Sequence, residues 1–421
     1  MDASKPPSAL CIFEDDRYAD FFPLSLARPV FDLAIGVHSL RSRIADEINP
    51  DALALLCRPY LAAIVAAEGA EEGGRAITVI ELPAGAGEVL FLNGRIIAYG
   101  SELRDFVSGM DADALLRKNG TIVAARLSGE RAAALASYIG SSISDESVEK
   151  TASEIKRASI PGAGKGASAR EEKDAARGKA LARWAAQAGV PLEESNVRLL
   201  SHYWQMIGEN RACIVDDFQK SPLRGTSPDT ELFKGVELIN ENDIVIGSDV
   251  EVRSGTVLDA SDGAILIANG VRVEPNAIIY GPCSIGEGSI VRGGAQIGRG
   301  TSLGRQCRVG GEVEESIFSS FSNKQHEGFV GHSCVGSWVN IGAGSCTSDL
   351  KNNYGLVRAW TAGQMRDTGR RFLGAAIGDH SKVAVNSRLN AGAVVGFNAS
   401  VVSSGFPPKL VPSFTWRLEP E

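Results

Sequence analysis

Aliphatic residues recur at every sixth position over a long stretch of the second half of the chain. Each step of six from Ile267 to Val309 meets Ile, Leu or Val, and the same step recurs upstream at Ile246 and downstream from Ile377 to Val401. A period of six suits neither an α-helix nor an isolated strand. It fits a coil of three short strands, stacked coil upon coil, with one aliphatic residue of each strand pointing into the shaft.

Glycine supplies the corners that such a coil needs, because it adopts φ > 0 without steric cost. Of the 47 glycines in this chain of 421 residues, 20 lie in residues 1–240 and 27 in residues 241–421. Residues 241–421 are therefore predicted to form a parallel β-helix of the hexapeptide type, which is associated with the left-handed form, with about 18 residues per coil. The repeat is interrupted at 312–328 and 345–373, where we expect excursions from the shaft that carry chemistry.

Residues 1–145 carry the pattern of a different fold. Short apolar runs alternate with helix-like stretches at 38–48 and 130–138. This alternation is typical of an α/β domain with a mostly parallel sheet. The runs predicted to be strands are Ala9–Phe13, Ala76–Ile80, Val89–Leu92 and Thr121–Ala124.

Residues 146–240 are predicted to form a linker between the two patterns. Their first part is rich in Ala, Lys and Glu, which favours a helical or partly mobile connector with a break at 161–164. Gly162-Ala-Gly-Lys165 is not interpreted as a phosphate loop, because the leading glycine is missing and Gly166 stands where Ser or Thr would bind magnesium. Residues 193–217 are predicted to form a helix that bridges the domains.

Charge and cysteine content exclude several classes of function. With 43 basic and 51 acidic residues the formal net charge is −8, and no basic face accumulates that would neutralise a nucleic acid. The seven cysteines contain no CxxC pair, which argues against a disulfide framework or a zinc ribbon and favours a reducing cytoplasm. No secretion signal opens the sequence, and the longest apolar stretch, 53–67, is too short to span a bilayer. We expect a cytoplasmic protein without nucleic-acid or membrane partners.

Two stretches resemble a known family. The first runs His326-Glu-Gly-Phe-Val-Gly-His-Ser-Cys-Val-Gly-Ser-Trp-Val-Asn-Ile-Gly-Ala-Gly344 and continues at Asn352-Asn-Tyr-Gly355. It resembles the acetyltransferase half of GlmU, the bifunctional N-acetylglucosamine-1-phosphate uridyltransferase/glucosamine-1-phosphate acetyltransferase family. The second, Phe13-Glu-Asp-Asp16 with Pro23-Leu-Ser-Leu-Ala-Arg-Pro-Val-Phe-Asp-Leu33, is similar to the start of divergent GlmU-like sugar nucleotidyltransferases. The resemblance implies an α/β nucleotidyltransferase-like (Rossmann-like) domain followed by a left-handed β-helix that binds acetyl-CoA as a homotrimer.

The resemblance also implies a set of site residues in the β-helix. His326 falls on the catalytic base, which would take a proton from the amino group of glucosamine 1-phosphate as that amine attacks the acetyl-CoA thioester. The residues that would contact the acceptor sugar and its phosphate are Asn340, Arg292, Lys351, Asn353 and Tyr354. The residues along which CoA would lie are Ala343, Val385 and Ser403. Phe329 stands where the family commonly has tyrosine, so a hydroxyl that could contact the acceptor is lost.

The amino-terminal half departs from the family where phosphate and metal bind. The glycine-rich GxGTR loop that holds the triphosphate is absent, and Val30 replaces the lysine that contacts the sugar phosphate. The strand end that normally reads NGD here reads Asn93-Gly-Arg95, with an arginine in place of the aspartate expected to bind Mg²⁺. The resemblance places Arg28, Asn93 and Arg95 at the nucleotidyltransferase site, where the arginines would replace the lost cations.

Three functions remain open from the sequence. The first is a GlmU-like enzyme that acetylates an amino-sugar phosphate in the β-helix and transfers a uridylyl group from UTP, with Mg²⁺, in the amino-terminal domain. The second is a protein that keeps the fold and binds a sugar nucleotide as a regulator or scaffold, without chemistry. The third is a zinc β-helix enzyme of the carbonic anhydrase type, in which a three-histidine site between subunits would use His326, His332 and His380 as ligands. The spacing of six between the first two histidines predicts different faces rather than convergence.

Overall fold

The computed structural model describes residues 9–69, 76–83, 85, 87–143, 167–225, 233–403 and 405–416. The chain divides into two compact units. The first contains residues up to 20, 28–33 and 38–201, and the second contains 21–27, 34–37 and the residues from 202 onward. The predicted linker 146–240 is therefore shared between the units, and its predicted break at 161–164 lies outside the described residues. Within those residues no helix is long and apolar enough to cross a membrane.

A seven-stranded sheet forms the centre of the first unit. Its strands are β1 Ala9–Phe13, β2 Ala52–Leu56, β3 Ala76–Val79, β4 Glu88–Asn93, β5 Ala114–Lys118, β6 Thr121–Ser128 and β7 Leu192–Glu194. Their order across the sheet is β3-β2-β1-β4-β6-β5-β7, and only β6 runs antiparallel to the others. The four predicted runs are β1, β3, β4 and β6, and the predicted mostly parallel α/β domain is confirmed.

Helices cover both faces of this sheet. They are α1 Leu40–Ile48, α2 Ala62–Gly69, α3 Glu102–Ser108, α4 Gly129–Ser142 and α5 Ala167–Ala188, with 3₁₀ turns at Asp16–Phe21, Val30–Asp32 and Pro59–Leu61. Alternate residues of β1 bury on opposite sides: Leu10 packs in the cluster that contains α1 and α3, and Cys11 in the cluster that contains α4 and α5. Ser39 caps the amino-terminal end of α1, because its hydroxyl accepts a hydrogen bond from the N–H of Ser42 at 3.1 Å.

The helix predicted over 193–217 begins later than expected. It is α6, Tyr203–Lys220, and it belongs to the second unit. Residues 192–194 instead form β7, which pairs in parallel with β5. A short ladder of Ala34–Ile35 and His38–Ser39 precedes α1 in the chain.

Three parallel sheets, here called faces A, B and C, form the β-helix of the second unit. The strands of face A are Glu237–Ile239, Val257–Asp259, Ile278–Tyr280, Gln296–Ile297, Glu312–Glu314 and Phe329–Gly331, followed by the pair Cys346–Thr347 and Arg388–Leu389. Those of face B are Ile244–Ile246, Ile265–Ile267, Cys283–Ile285, Thr301–Leu303, Ile317–Phe318, Cys334–Val335, Ala376–Ile377, Val394–Val395 and Leu410–Val411. Those of face C are Glu251–Val252, Arg272–Val273, Ile290–Val291, Arg308–Val309, Asn323–Lys324, Asn340–Ile341, Lys382–Val383 and Ser400–Val401.

The six-residue repeat supplies the interior of these faces. The eight aliphatic residues from Ile267 to Val309 are each no more than 3% exposed. Strand Ile265–Ile267 pairs in parallel with Cys283–Ile285, so three sextets of sequence make one full coil. The predicted left-handed β-helix of the hexapeptide type is confirmed.

Of the two predicted excursions, only the second leaves the shaft. The chain between Cys334 and its partner Ala376 is more than twice as long as a regular coil, and it includes a hairpin of Arg358–Thr361 with Gln364–Asp367. The excursion predicted at 312–328 is wrong, because this segment gives a strand to each of the three faces. The coil from Arg308 to its partner Asn323 is shorter than three sextets, so the six-residue step loses its phase while the strands stay paired.

Candidate functional site

His326 lies on the corner between face C and face A rather than in a loop outside the shaft. It follows strand Asn323–Lys324 and precedes strand Phe329–Gly331. Its side chain is exposed to solvent. A histidine in this position can reach a molecule bound on the outside of the coil.

The residues predicted to contact CoA lie on the same corner, in the coils that follow His326. The backbone oxygen of Ala343 accepts a hydrogen bond from the N–H of Asn386 at 2.7 Å, which ties the coil of Ala343 to that of Val385. The side chain of Val385 is 65% exposed. Ser403 follows strand Ser400–Val401 in the next coil. These positions therefore form a column along one edge of the β-helix.

A buried lysine that the sequence did not single out supports the corner of His326. Lys324 is 1% exposed and occupies the inward position that Val309 fills in the preceding coil. Its Nζ donates to the backbone oxygens of Gly310 at 2.8 Å and of His326 at 2.5 Å. Burial lowers the pKa of Lys324 to about 8, although the negative charge of Glu327 by itself raises this pKa. The only sequence signal was the break in the aliphatic repeat.

A groove with a cavity volume of about 640 Å³ opens on face C. Two cations, three amides and two aromatic rings contribute to its lining, which consists of Gln306, Arg308, Phe321, Asn323, Trp338, Val339, Asn340 and Lys382. Four of these, Arg308, Asn323, Asn340 and Lys382, occupy the same register position in successive coils. The groove therefore contains Asn340, the asparagine predicted to contact the acceptor sugar.

Stacked rings form one edge of this groove. Trp338 lies between Phe321, at a centroid distance of 4.7 Å, and His380, at 6.3 Å, and the three rings are nearly parallel. Phe321, Trp338 and His380 all have positive φ, of 66°, 60° and 62°. Such a conformation is uncommon for bulky residues and must be held by its surroundings. Two rings of this stack, Phe321 and Trp338, line the groove.

The other residues predicted to contact the acceptor lie elsewhere. The Nη1 of Arg292 bonds to the Oε1 of Glu274 at 2.8 Å. Lys351, Asn353 and Tyr354 lie in the excursion, where the Nζ of Lys351 donates to the backbone oxygen of Leu356 at 3.2 Å and Tyr354 is 68% exposed. None of these four belongs to the lining of the groove.

The three histidines of the zinc hypothesis do not converge within one chain. His326 lies between faces C and A, His332 between A and B, and His380 between B and C. Each histidine occupies a different corner of the β-helix, and a zinc site shared between subunits stays a prediction. His332 has other partners, since its Nδ1 is 2.8 Å from the Oδ2 of Asp349. The atoms of Glu314, His332 and Asp349 that could bind a metal ion lie within 4.8 Å of one another. Burial raises the pKa of Glu314.

In the first unit, each of the three consecutive carboxylates that follow β1 pairs with an arginine. The pairs are Glu14 with Arg58, Asp15 with Arg95 and Asp16 with Arg177. The side chains of Glu14 and Arg58 are both fully buried and make two hydrogen bonds with each other, at 2.8 and 2.9 Å. The Nη2 of Arg58 also donates to the backbone oxygen of Arg28 at 2.9 Å. This strand end presents carboxylates where a nucleotidyltransferase presents a phosphate-binding loop.

Asn93 and Arg95 both bind Asp15. The Nη2 of Arg95 is 2.6 Å from Oδ2 of Asp15, and the Nδ2 of Asn93 donates to the same oxygen at 2.9 Å. Burial by itself raises the pKa of Asp15, but the charge of Arg95 and the hydrogen bonds from Arg95, Asn93 and Arg17 outweigh it, so this pKa lies below its ordinary value. The residues here do not fit Mg²⁺, because a guanidinium occupies the expected ligand position and neutralises the neighbouring carboxylate.

Comparisons with known families cover both units. The profile of the family described as "Sugar nucleotidyl transferase" matches residues 10–222. The profile described as "Bacterial transferase hexapeptide (six repeats)" matches residues 264–299.

Similar proteins include several that bear the name bifunctional protein GlmU. That of Wigglesworthia glossinidia brevipalpis is 26% identical over 196 residues, 45% of this chain and 38% of its own length. That of Bartonella quintana is 28% identical over 184 residues, 41% of this chain and 36% of its own. The chain spans about two fifths of the length of the curated relatives it matches. Among solved structures, a UDP-N-acetylglucosamine acyltransferase of Arabidopsis is 14% identical, with a TM-score of 0.18, over 44% of this chain and 67% of its own.

Proposed function

Since the chain belongs to the sugar nucleotidyl transferase family and also carries hexapeptide repeats, we propose that it is a GlmU-like transferase whose β-helix acetylates an amino-sugar phosphate with acetyl-CoA. The observation that carries this proposal is the position of the exposed His326 beside the groove on face C. Asn323, in the wall of the groove, precedes His326 by three residues, so their Cα atoms are at most about 11 Å apart. An acceptor that extends from the groove to this corner would then bring its amine to the imidazole of His326.

The reaction needs a base, an acceptor amine and a thioester. The amine nitrogen attacks the thioester carbonyl carbon as the imidazole of His326 takes the proton that the amine loses. The C–S bond then breaks, and the departing thiolate of CoA receives that proton from the imidazolium. Acetyl-CoA lies along the column of Ala343, Val385 and Ser403, and Asn340 contacts the sugar.

The oligomeric state follows from the same proposal. In hexapeptide acyltransferases the groove for acyl-CoA lies between neighbouring β-helices, so the active form is a homotrimer. Light scattering of the purified protein should give three times the mass of the chain. A monomer that nevertheless transfers acetyl groups would contradict this part of the proposal.

The test of acetyl transfer is thiol release from acetyl-CoA in the presence of glucosamine 1-phosphate. His326→Ala should abolish the acceptor-dependent rate, because it removes the imidazole that takes the proton from the amine. His38→Ala is the matched control, since His38 is also exposed and belongs to the first unit. No thiol release by the unmodified chain, or an unchanged rate in the His326 variant, would refute the assignment of the base.

For the first unit we propose a role without uridylyl transfer. The arginine–carboxylate pairs at the end of β1 support this second function, because each of these arginines already neutralises a carboxylate and the pairs offer no excess positive charge to a triphosphate. The unit then acts as a sugar-nucleotide-binding or scaffold domain. With UTP, N-acetylglucosamine 1-phosphate and Mg²⁺, we expect no release of pyrophosphate. Release of pyrophosphate that Asp15→Asn or Arg95→Met abolishes would establish a uridyltransferase instead.

A further inference from the structure

We propose that the groove on face C is a phosphate subsite for an amino sugar, in which Arg308 and Lys382 hold the phosphate. The proposal rests on acetyl transfer for the identity of the sugar, but the binding event does not require turnover. The sequence resemblance placed this task on Arg292 and Lys351. Those two residues lie outside the groove, and Arg292 is paired with Glu274.

Charge is the first reason. Arg308 and Lys382 line the groove, and no described residue of its lining carries a carboxylate. Among the residues that the structure describes, none forms an ion pair with the guanidinium of Arg308. Arg272 lies in the same register row two coils earlier, but there Glu251 binds its Nε at 3.0 Å. The groove thus holds a positive charge that the described part of the chain leaves uncompensated, and an anion is the complementary ligand.

Spacing is the second reason. Strands of neighbouring coils are about 4.8 Å apart, so the backbone positions of Arg308 and Lys382, three coils from each other, are separated by about 14 Å. Asn323 and Asn340 fill the two coils between them. Each long side chain has to cover about half of that distance to meet a phosphate above the asparagines.

An orphaned acceptor is the third reason. The Oδ1 of Asn323 is buried and has no hydrogen-bond partner within the described part of the chain. A buried acceptor is costly unless it receives a hydrogen bond. Inorganic phosphate at neutral pH offers few donors, whereas a sugar hydroxyl or amine offers them. The groove therefore matches a ligand with an anionic group and hydrogen-bond donors side by side, which is the chemistry of a phosphorylated amino sugar.

The experiment is calorimetric titration without acetyl-CoA, using glucosamine 1-phosphate, unphosphorylated glucosamine and inorganic phosphate as probes. Arg308→Met and Lys382→Met should each raise the Kd for glucosamine 1-phosphate roughly tenfold to a hundredfold. Arg272→Met is the matched control, with the same residue type on the same face, and should bind as the unmodified chain does. Raising the salt concentration should weaken binding of the phosphorylated sugar but not of glucosamine.

Each outcome decides between the two proposals. If the unmodified chain does not bind glucosamine 1-phosphate, or if both groove variants bind it with unchanged Kd, the phosphate subsite is refuted. Binding that depends on Arg308 without any thiol release from acetyl-CoA would keep the subsite and overturn acetyl transfer. If Arg308→Met transfers acetyl groups with an unchanged KM for the acceptor, acetyl transfer stands and the phosphate subsite is refuted.

Discussion

The buried amine of Lys324 should make the stability of the β-helix depend on pH in a measurable way. Burial lowers the pKa of Lys324 from 10.5 to about 8, so between these values the unfolded chain binds the proton that the folded chain has released. The free energy of unfolding therefore rises with pH across this window. From pH 7 to pH 10 the two pKa values give a gain of about 2–3 kcal/mol. Lys324→Met removes the titrating group and should remove this gain.

The assay is urea unfolding at pH 7 and pH 10 followed by tryptophan fluorescence, because four of the five tryptophans belong to the second unit. Other titrating groups contribute equally to both proteins, so the quantity to compare is the difference between the unmodified chain and Lys324→Met at each pH. Val309→Met is the matched control, since Val309 occupies the same interior position one coil earlier. A difference that is the same at pH 7 and pH 10 would refute the reasoning.

Three further predictions concern stability. Glu14→Gln should cost about 3–5 kcal/mol in urea unfolding, because it leaves the fully buried Arg58 without its counter-ion; a loss below about 1 kcal/mol would contradict this. Asp15→Asn should destabilise at pH 7, and because the pKa of Asp15 is lowered, the difference should shrink as the pH falls below 3.8; a difference that persists in acid would argue against the ion pair. Gly374→Ala should lower the melting temperature, since its methyl group would overlap the backbone oxygen of Gly331; an unchanged melting temperature would show that the two coils can move apart.

The sequence predicted the fold well because the strongest signals in it are local and periodic. Every inward position from Ile267 to Val309 follows from the step of six, and a coil of three sextets determines which strands pair. The first unit was predicted less completely: β2 and β5 were not identified, because their apolar residues do not stand out from the neighbouring apolar stretches. Helix α5 was predicted only as part of a linker, since composition does not tell where a helix packs.

The candidate site was harder to predict because its residues are brought together by coil length rather than by motif. Arg308, Asn323, Asn340 and Lys382 are neighbours in one row, although the first two coils between them are shorter than three sextets and the last contains the whole excursion. A prediction that assumes about 18 residues in every coil would place other residues beside each of these four. The resemblance pointed to Asn340, which lines the groove, but it carried the phosphate contacts to Arg292, whose partner Glu274 no motif reveals.

The wrongly predicted excursion and the unforeseen Lys324 both lie where the six-residue repeat is interrupted. The shortened coil after Val309 shifts the phase of the six-residue step, and in the sequence this shift looks like the excursion predicted at 312–328. In the structure Lys324 remains in the shaft because its Nζ finds two backbone oxygens, one of them on His326. A buried lysine is costly in a core of aliphatic residues unless it is hydrogen-bonded. Its presence beside the proposed base therefore suggests that this coil departs from the repeat to hold the corner of His326 rather than to stabilise the shaft.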